Sequence, residues 1–453
     1  MIKLKQLVNF LVISSLVFSV SCTKKRDLSI KELQISVPQK VKGMDPIFAN
    51  DRYSSNEIAR VYEGLLEYHY LKRPYTLVPN LASELPKVSA DGLTYTFKIL
   101  PGVFFHDDAA FSGGKGRELT AEDFVYSMKR LADPKLQSTG WWILDGKVKG
   151  LNEWREANSG KEVVDYSTEV EGVKAIDKYT LQFKLSREFP QFLYSLAMPF
   201  TFVVAKEVVE QYGKEFLNHP VGTGAFVLKK FDQSNKIVYS KNPKFRDKFY
   251  PSDASEEFKS QGYLADAGKK LPLVDKVVVN VIIENQPRWL NFQKGNLDYI
   301  GIPKDNFDSA VTPSNGISDE LKTKGIELLI TPSLDVTYTA FNHDTPLFQN
   351  VNLRRAMSLA YNVEKSNELF YNNTALAAQS IVPPGIAGYM ESYKNPFVGP
   401  KLEEAKKLLA KAGYPEGKGL PEITYDCPNS TVCLLYTSPS PRDQRGSRMP
   451  SSA

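Results

Sequence analysis

The residues best suited to chemistry in this 453-residue chain are its four histidines, His69, His106, His219 and His343. None stands at a ligand spacing such as H-E-x-x-H. His106-Asp107-Asp108 comes nearest to a metal cluster, but three consecutive residues at a strand-to-loop junction point in different directions, so a solvated loop is expected there. Asp107 and Asp108, as neighbours, also lack the opposed geometry that glycoside hydrolysis requires. Gly113-Gly114-Lys115-Gly116 is not a P-loop, since no G-x-x-x-x-G-K-[ST] is present, and Gly222-Thr223-Gly224 is too short for a dinucleotide fingerprint. G-x-S-x-G is absent as well. No catalytic set, metal or cofactor is therefore expected. The suggestive side chains are aromatic: 23 Tyr, 25 Phe and the pair Trp141-Trp142, which can pack a core or line a ligand site.

The elements that would position such residues can be read from periodicity. Thr94 to Ile99 and Tyr179 to Leu185 alternate apolar and polar residues after Asp91-Gly92 and Asp177-Lys178, which predicts half-buried strands. Further strands are expected at Ala225 to Lys229, Lys236 to Ser240 and Val277 to Ile283. Helices are expected from about Ser55, with Ser54 and Glu57 as a capping box, and from Thr120, with Asp123 as its partner. Two more are expected at Leu353 to Tyr361 and at Leu402 to Ala412, the latter ended by Gly413 and Pro415. Strands and helices alternate without a strict βαβ period, so the fold class is α/β in the mixed α+β sense. Residues 29 to 432 are too many for one core.

The ends of the chain read differently. Lys3 and Lys5 precede an apolar stretch from Leu7 to Val20 that is too short to span a bilayer, so residues 1–21 read as a signal peptide. Ser19-Val20-Ser21-Cys22 resembles a lipobox, which would make Cys22 a lipidated N-terminus and 22–28 a polar tether. Cys433 to Asp443, CLLYTSPSPRD, reads as translated sequencing adaptor, and 433–453 are set aside as an artefact. Without the lysines of the signal and the charged residues of the tail, 52 basic face 51 acidic residues. That balance gives no reason to expect nucleic acid as a partner. Cys427 is then the single cysteine of the folded region, and no disulfide framework is expected.

Several segments, in order, resemble the peptide-type solute-binding proteins of bacterial ABC importers, extracellular solute-binding family 5. They are Met44-Asp45-Pro46, Val61-Tyr62-Glu63-Gly64-Leu65-Leu66, Pro79 to Leu85, Asp91 to Ile99, Leu119 to Ser127, Gly222 to Phe226, Arg354 to Tyr361 and Glu404 to Pro415. The resemblance implies a two-lobed periplasmic-binding-protein-like fold with a hinge and an extra domain inserted in the first lobe. Its implied parts are 29–67 and 196–284 for lobe I, 68–195 for the inserted domain and 285–432 for an incomplete lobe III. It also implies a monomeric receptor that is not an enzyme, periplasmic or at the cell surface, held to a membrane by its lipid anchor. Such a receptor takes up peptide and delivers it to an ABC permease whose ATPase is another chain. The ligand residues implied are Asn50, Asp51, Arg52, Tyr53, Trp141, Trp142, Thr223, Gly224 and Tyr338. The family's acidic anchor for the peptide amine lies beyond the region equivalent to Ile423-Thr424-Tyr425, so residues 23–432 alone are expected to bind peptide poorly. Two rival readings stay open: the same fold holding a nickel chelate, haem, an opine or an oligosaccharide, and a secreted hydrolase.

Overall fold

A computed structural model describes residues 29–425. The signal peptide, Cys22 and its tether, Cys427 and the adaptor-like tail lie outside the described residues. Residues 29–71 and 77–300 form one compact unit, and residues 72–76 with those from 301 onward form a second. α-Helices of seven or more residues are labelled below.

The first unit contains two four-stranded sheets. In one, β1 (Glu32–Val37) pairs in parallel with β10 (Lys276–Val281), which is followed by antiparallel β9 (Lys236–Lys241) and β8 (Phe226–Phe231). The central strand β10, KVVVNV, buries Val277, Val278, Val279 and Val281, as a strand covered on both faces should. Its neighbour β9 alternates, burying Ile237 and Tyr239. The other sheet runs β4 (Lys87–Val88), β5 (Thr94–Lys98), β7 (Thr180–Lys184) and β6 (Val173–Asp177), antiparallel throughout. Tyr95, Phe97, Leu181 and Phe183 share its buried face, with Phe97 and Phe183 edge to face at 6.0 Å. A short ladder of β2 (Leu66–Tyr68) and β3 (Leu77–Pro79) completes the strands of this unit.

The helices of the unit follow from their caps. Helix α1 (Arg52–Val61) starts a turn before the expected capping box because Asp51 is available as N-cap, accepting from the amides of Tyr53 and Ser54 at 3.1 and 3.0 Å. Ser54 instead accepts the Lys42 amide, and Glu57 pairs with Arg60. Helix α2 (Ala121–Ala132) has the expected capping box of Thr120 and Asp123. Its Arg130 makes a buried two-bond pair with Asp45, at 2.7 and 2.6 Å, which fastens the Met44-Asp45-Pro46 turn to the helix. The remaining labelled helices are α3 (Leu151–Asn158), α4 (Lys206–Tyr212) and α5 (Asn285–Gln293), none of them evident from the sequence.

The second unit carries α6 (Val351–Ala360), α7 (Val363–Tyr371) and α8 (Leu402–Lys411). Asn350 caps α6 and also donates to the Ala412 carbonyl beyond α8. Leu353, Ala356 and Leu359 of α6 are buried with Ala405 of α8. Residues 326–342, which include Tyr338, have no regular structure.

Candidate functional site

Parallel strands raise a general expectation: polar segments gather outside their carboxyl ends, because the loops that follow them start there. At the ends of β1 and β10, Ile282 donates its amide to Val37 at 3.0 Å, which keeps the two exits side by side. The chain leaving β1 passes through Gln39, whose amide donates to Asp51 at 3.0 Å and so brings the start of α1 to this edge. The chain leaving β10 enters α5, whose first turn carries Asn285 and Arg288. The start of α1 and α5 therefore both lie at the carboxyl ends of the parallel pair, where Tyr53 is near enough to Arg288 to act on its charge.

The groups there are only partly occupied. The Asp51 carboxylate spends one oxygen on helix amides and Gln39, while the other is buried without a hydrogen-bond partner, 3.7 Å from the Lys42 ammonium. The Ser36 hydroxyl at the end of β1 is also buried without a partner. Asn50 and Arg52 are exposed and Tyr53 is half-buried. Arg288 is half-buried too, and its guanidinium donates to Asn285 Oδ1 at 2.6 Å and to the Ile282 carbonyl at 3.5 Å. Burial holds its pKa below the ordinary value, partly offset by nearby Tyr53.

The other nominated residues belong to other elements. Thr223 and Gly224 sit at the far end of α1, whose ten residues span roughly 15 Å. Gly224 donates to the Val61 carbonyl at 2.8 Å, and a Cβ on Gly222 would stand 2.1 Å from that oxygen, so the turn approaches the protein's own helix. Thr223 is buried, and its hydroxyl donates to Glu63, which also takes two bonds from Arg246 at 2.7 and 2.9 Å. Trp141 and Trp142 lie in a 3-10 turn and not in an extended segment. Trp141 is half-buried beneath the Arg155 guanidinium, 5.1 Å away, on a cavity of about 280 Å³, whereas Trp142 is 58% exposed. Ser138, just before them, donates to the Ile47 carbonyl and ties this turn to the segment leading into α1. Tyr338 belongs to the second unit and is 75% exposed.

The expected solvated loop at His106 is corrected. His106 is 2% exposed; its amide donates to the Gly222 carbonyl at 2.8 Å, and Nε2 donates to the Gly224 carbonyl at 3.0 Å. Asp108 receives the His219 ring and the Tyr212 hydroxyl at 2.7 and 3.0 Å. The loop is thus sewn to the Gly222–Gly224 turn. No group of three or more potential metal ligands occurs among the described residues. Arg288 and Gln39 were not legible as site residues, because neither β1 nor α5 was expected.

The fold has known counterparts. The structure of the Escherichia coli murein tripeptide binding protein MppA superposes with a TM-score of 0.64 at 24% identity, covering 85% of this chain and 67% of that one. The Helicobacter pylori periplasmic binding protein DppA, in complex with peptide STSA, gives 0.61 at 23% identity, covering 85% and 66%. The fold is that of the periplasmic binding proteins. Residues 76–445 match the family model for bacterial extracellular solute-binding proteins, family 5 (middle region), and the chain belongs to that family of binding proteins, which are not enzymes. A curated relative, the glutathione-binding protein GsiB of Escherichia coli O1:K1, is 28% identical over 387 residues; these are 85% of this chain and 62% of that relative's length. Among the described residues no helix is long and apolar enough to cross a membrane.

Proposed function

We propose that the protein is the extracytoplasmic receptor of an ABC importer for peptides. It would capture the ligand by main-chain pairing, with water filling generous side-chain pockets, and deliver it to a permease served by a separate ATPase chain. The observation that carries this reading is the chemistry named for its relatives: glutathione, a murein tripeptide and the peptide STSA are all short peptides. The partly occupied polar groups around Asp51 and Arg288 suit such a ligand, which brings charges and main-chain donors and acceptors. Asn50 to Tyr53 would bind first, with Trp141, Trp142 and Tyr338 acting from other surfaces, while Thr223 and Gly224 would serve the scaffold. In this reading 29–67 and 196–284 form lobe I, 68–195 the inserted domain and 285–432 lobe III. Lipidation of Cys22 would keep a monomeric receptor at the membrane.

Isothermal titration of the full-length protein with di- to hexapeptides tests the proposal. Saturable heat with peptides supports it. Heat only with a nickel chelate, haem, an opine or an oligosaccharide would move the assignment to another solute of the same family. Mass analysis of the mature N-terminus checks the anchor, a diacylglyceryl-modified Cys22 being the expected species.

A further inference from the structure

Arg288 is a half-buried cation for which the described residues provide no acid. Among the described residues no carboxylate lies within salt-bridge distance of its guanidinium, whereas Arg60 pairs with Glu57, Arg130 with Asp45, Arg246 with Glu63 and Arg117 with Asp123 and Glu207; half-buried Arg155 and Arg354 also lack an acid and bond to backbone carbonyls. The partners of Arg288 are neutral acceptors, Asn285 Oδ1 and the Ile282 carbonyl, which aim the group and leave further N–H donors unspent. Among the described residues, the acids beside Tyr53 and at the start of α5 are engaged elsewhere or exposed. Asp51 is committed to the α1 amides, Gln39 and Lys42, and Glu284, one turn back in sequence, is exposed and makes no ion pair with Arg288. A guanidinium held in place, partly desolvated and short of an acid is the usual arrangement for binding an external carboxylate through two parallel hydrogen bonds.

We propose that Arg288, beside Tyr53 at the carboxyl ends of β1 and β10, binds a carboxylate of the ligand and makes the receptor selective for solutes that carry one. This rests on the peptide-receptor reading and deepens it. A peptide offers that group from two sources, its C-terminus or an acidic side chain. Arg288 holds the carboxylate, and Asn285 keeps the guanidinium plane turned toward it.

The test is calorimetric titration of the full-length protein with three probes: trialanine, trialanine amide, and Ala-Glu-Ala amide. The wild type is expected to bind at least one carboxylate-bearing probe roughly 10- to 100-fold more tightly than trialanine amide. Preference for trialanine assigns the C-terminus, and preference for Ala-Glu-Ala amide assigns the side chain. Arg288→Met, which keeps the aliphatic stem, should erase the preference, bringing the carboxylate-bearing probes to the affinity the same variant has for trialanine amide; Arg288→Lys should restore part of it. Equal melting temperatures for the three proteins show that the fold is intact. A variant that binds peptides and keeps the wild-type preference overturns the role of Arg288 and leaves the peptide reading standing. Failure of the wild type to bind any of the three, or other short peptides, overturns both.

Discussion

Helix α1 is held in opposite ways at its two ends. At its C-terminal end the Gly222–Gly224 turn lies against the Val61 carbonyl, His106 clamps the turn through two carbonyls, and Glu63 sits in a buried network with Thr223, Arg246 and Asn80. Nearly every polar group there has a protein partner. At its N-terminal end, the Ser36 hydroxyl and part of the Arg288 guanidinium are left over, and the second oxygen of Asp51 has only the Lys42 ammonium at 3.7 Å. A closed network fixes geometry, whereas spare groups on a fixed scaffold are available to a ligand. The comparison assigns the first end to holding the scaffold and the second to binding.

Glu63→Ala should break the closed end most severely. It leaves the Arg246 guanidinium buried without its main acceptor, and a loss of about 3–5 kcal/mol is expected for such a broken pair. Urea denaturation of wild type and variant measures it; a midpoint shift worth less than about 1 kcal/mol would mean that the network is not what holds this end. Gly222→Ala should follow, at about 1–3 kcal/mol, because the new methyl meets backbone oxygen, which has no rotamer to escape into. Wild-type stability in that variant would show the turn to be free to move, and would reopen it as a ligand-facing element.

How much of this was legible in the sequence follows from where the information lay. Alternation at Thr94–Lys98 and Thr180–Lys184 gave true strands, and the Thr120–Asp123 box gave a true helix start, because those signals are local. The family resemblance pointed to the start of α1 and to the Gly-Thr-Gly turn alike, and structure alone separates them. No local pattern could say that the close neighbour of the Gly222–Gly224 turn is Val61. Asp51 and Ser54 both satisfy the capping pattern, and the choice between them is made by Lys42 and Gln39, which lie 12 residues away from their partners. The sites of His106 and Arg288 depend on contacts across 118 residues in one case and on an unexpected helix in the other. Neither leaves a local trace.

Asp51→Ala probes the open end and should have a smaller effect on folding. Loss of an N-cap costs about 1 kcal/mol, since two amides of the first turn lose their acceptor. If the two ends differ as argued, the variant should lose more peptide affinity than stability, while Gly222→Ala should do the reverse. Thermal unfolding and titration on the same samples give the two ratios, and identical ratios would remove the distinction between the ends.

The smallest effect expected is a slope with pH, and it tests the closed end by its one buried imidazole. Nε2 of His106 must carry the proton to donate to the Gly224 carbonyl, which leaves Nδ1 bare, and Nδ1 is buried without a partner. Burial lowers the pKa of the ring; the Gly224 bond and the Glu63 and Asp107 carboxylates oppose that shift, and Lys229 adds to it. The folded protein therefore takes up this proton at a lower pH than the unfolded chain, whose histidine titrates near 6.5. The stability that the neutral ring confers is complete above that value and is lost as pH falls below it toward the folded pKa. Melting temperatures at pH 7.5 and 5.0 should fall further for the wild type than for His106→Gln, whose amide can still donate to the carbonyl but takes up no proton. Equal falls would mean that Nδ1 finds an acceptor in the protonated state, and the turn would then be less tightly closed than the hydrogen bonds at Gly222 and Gly224 imply.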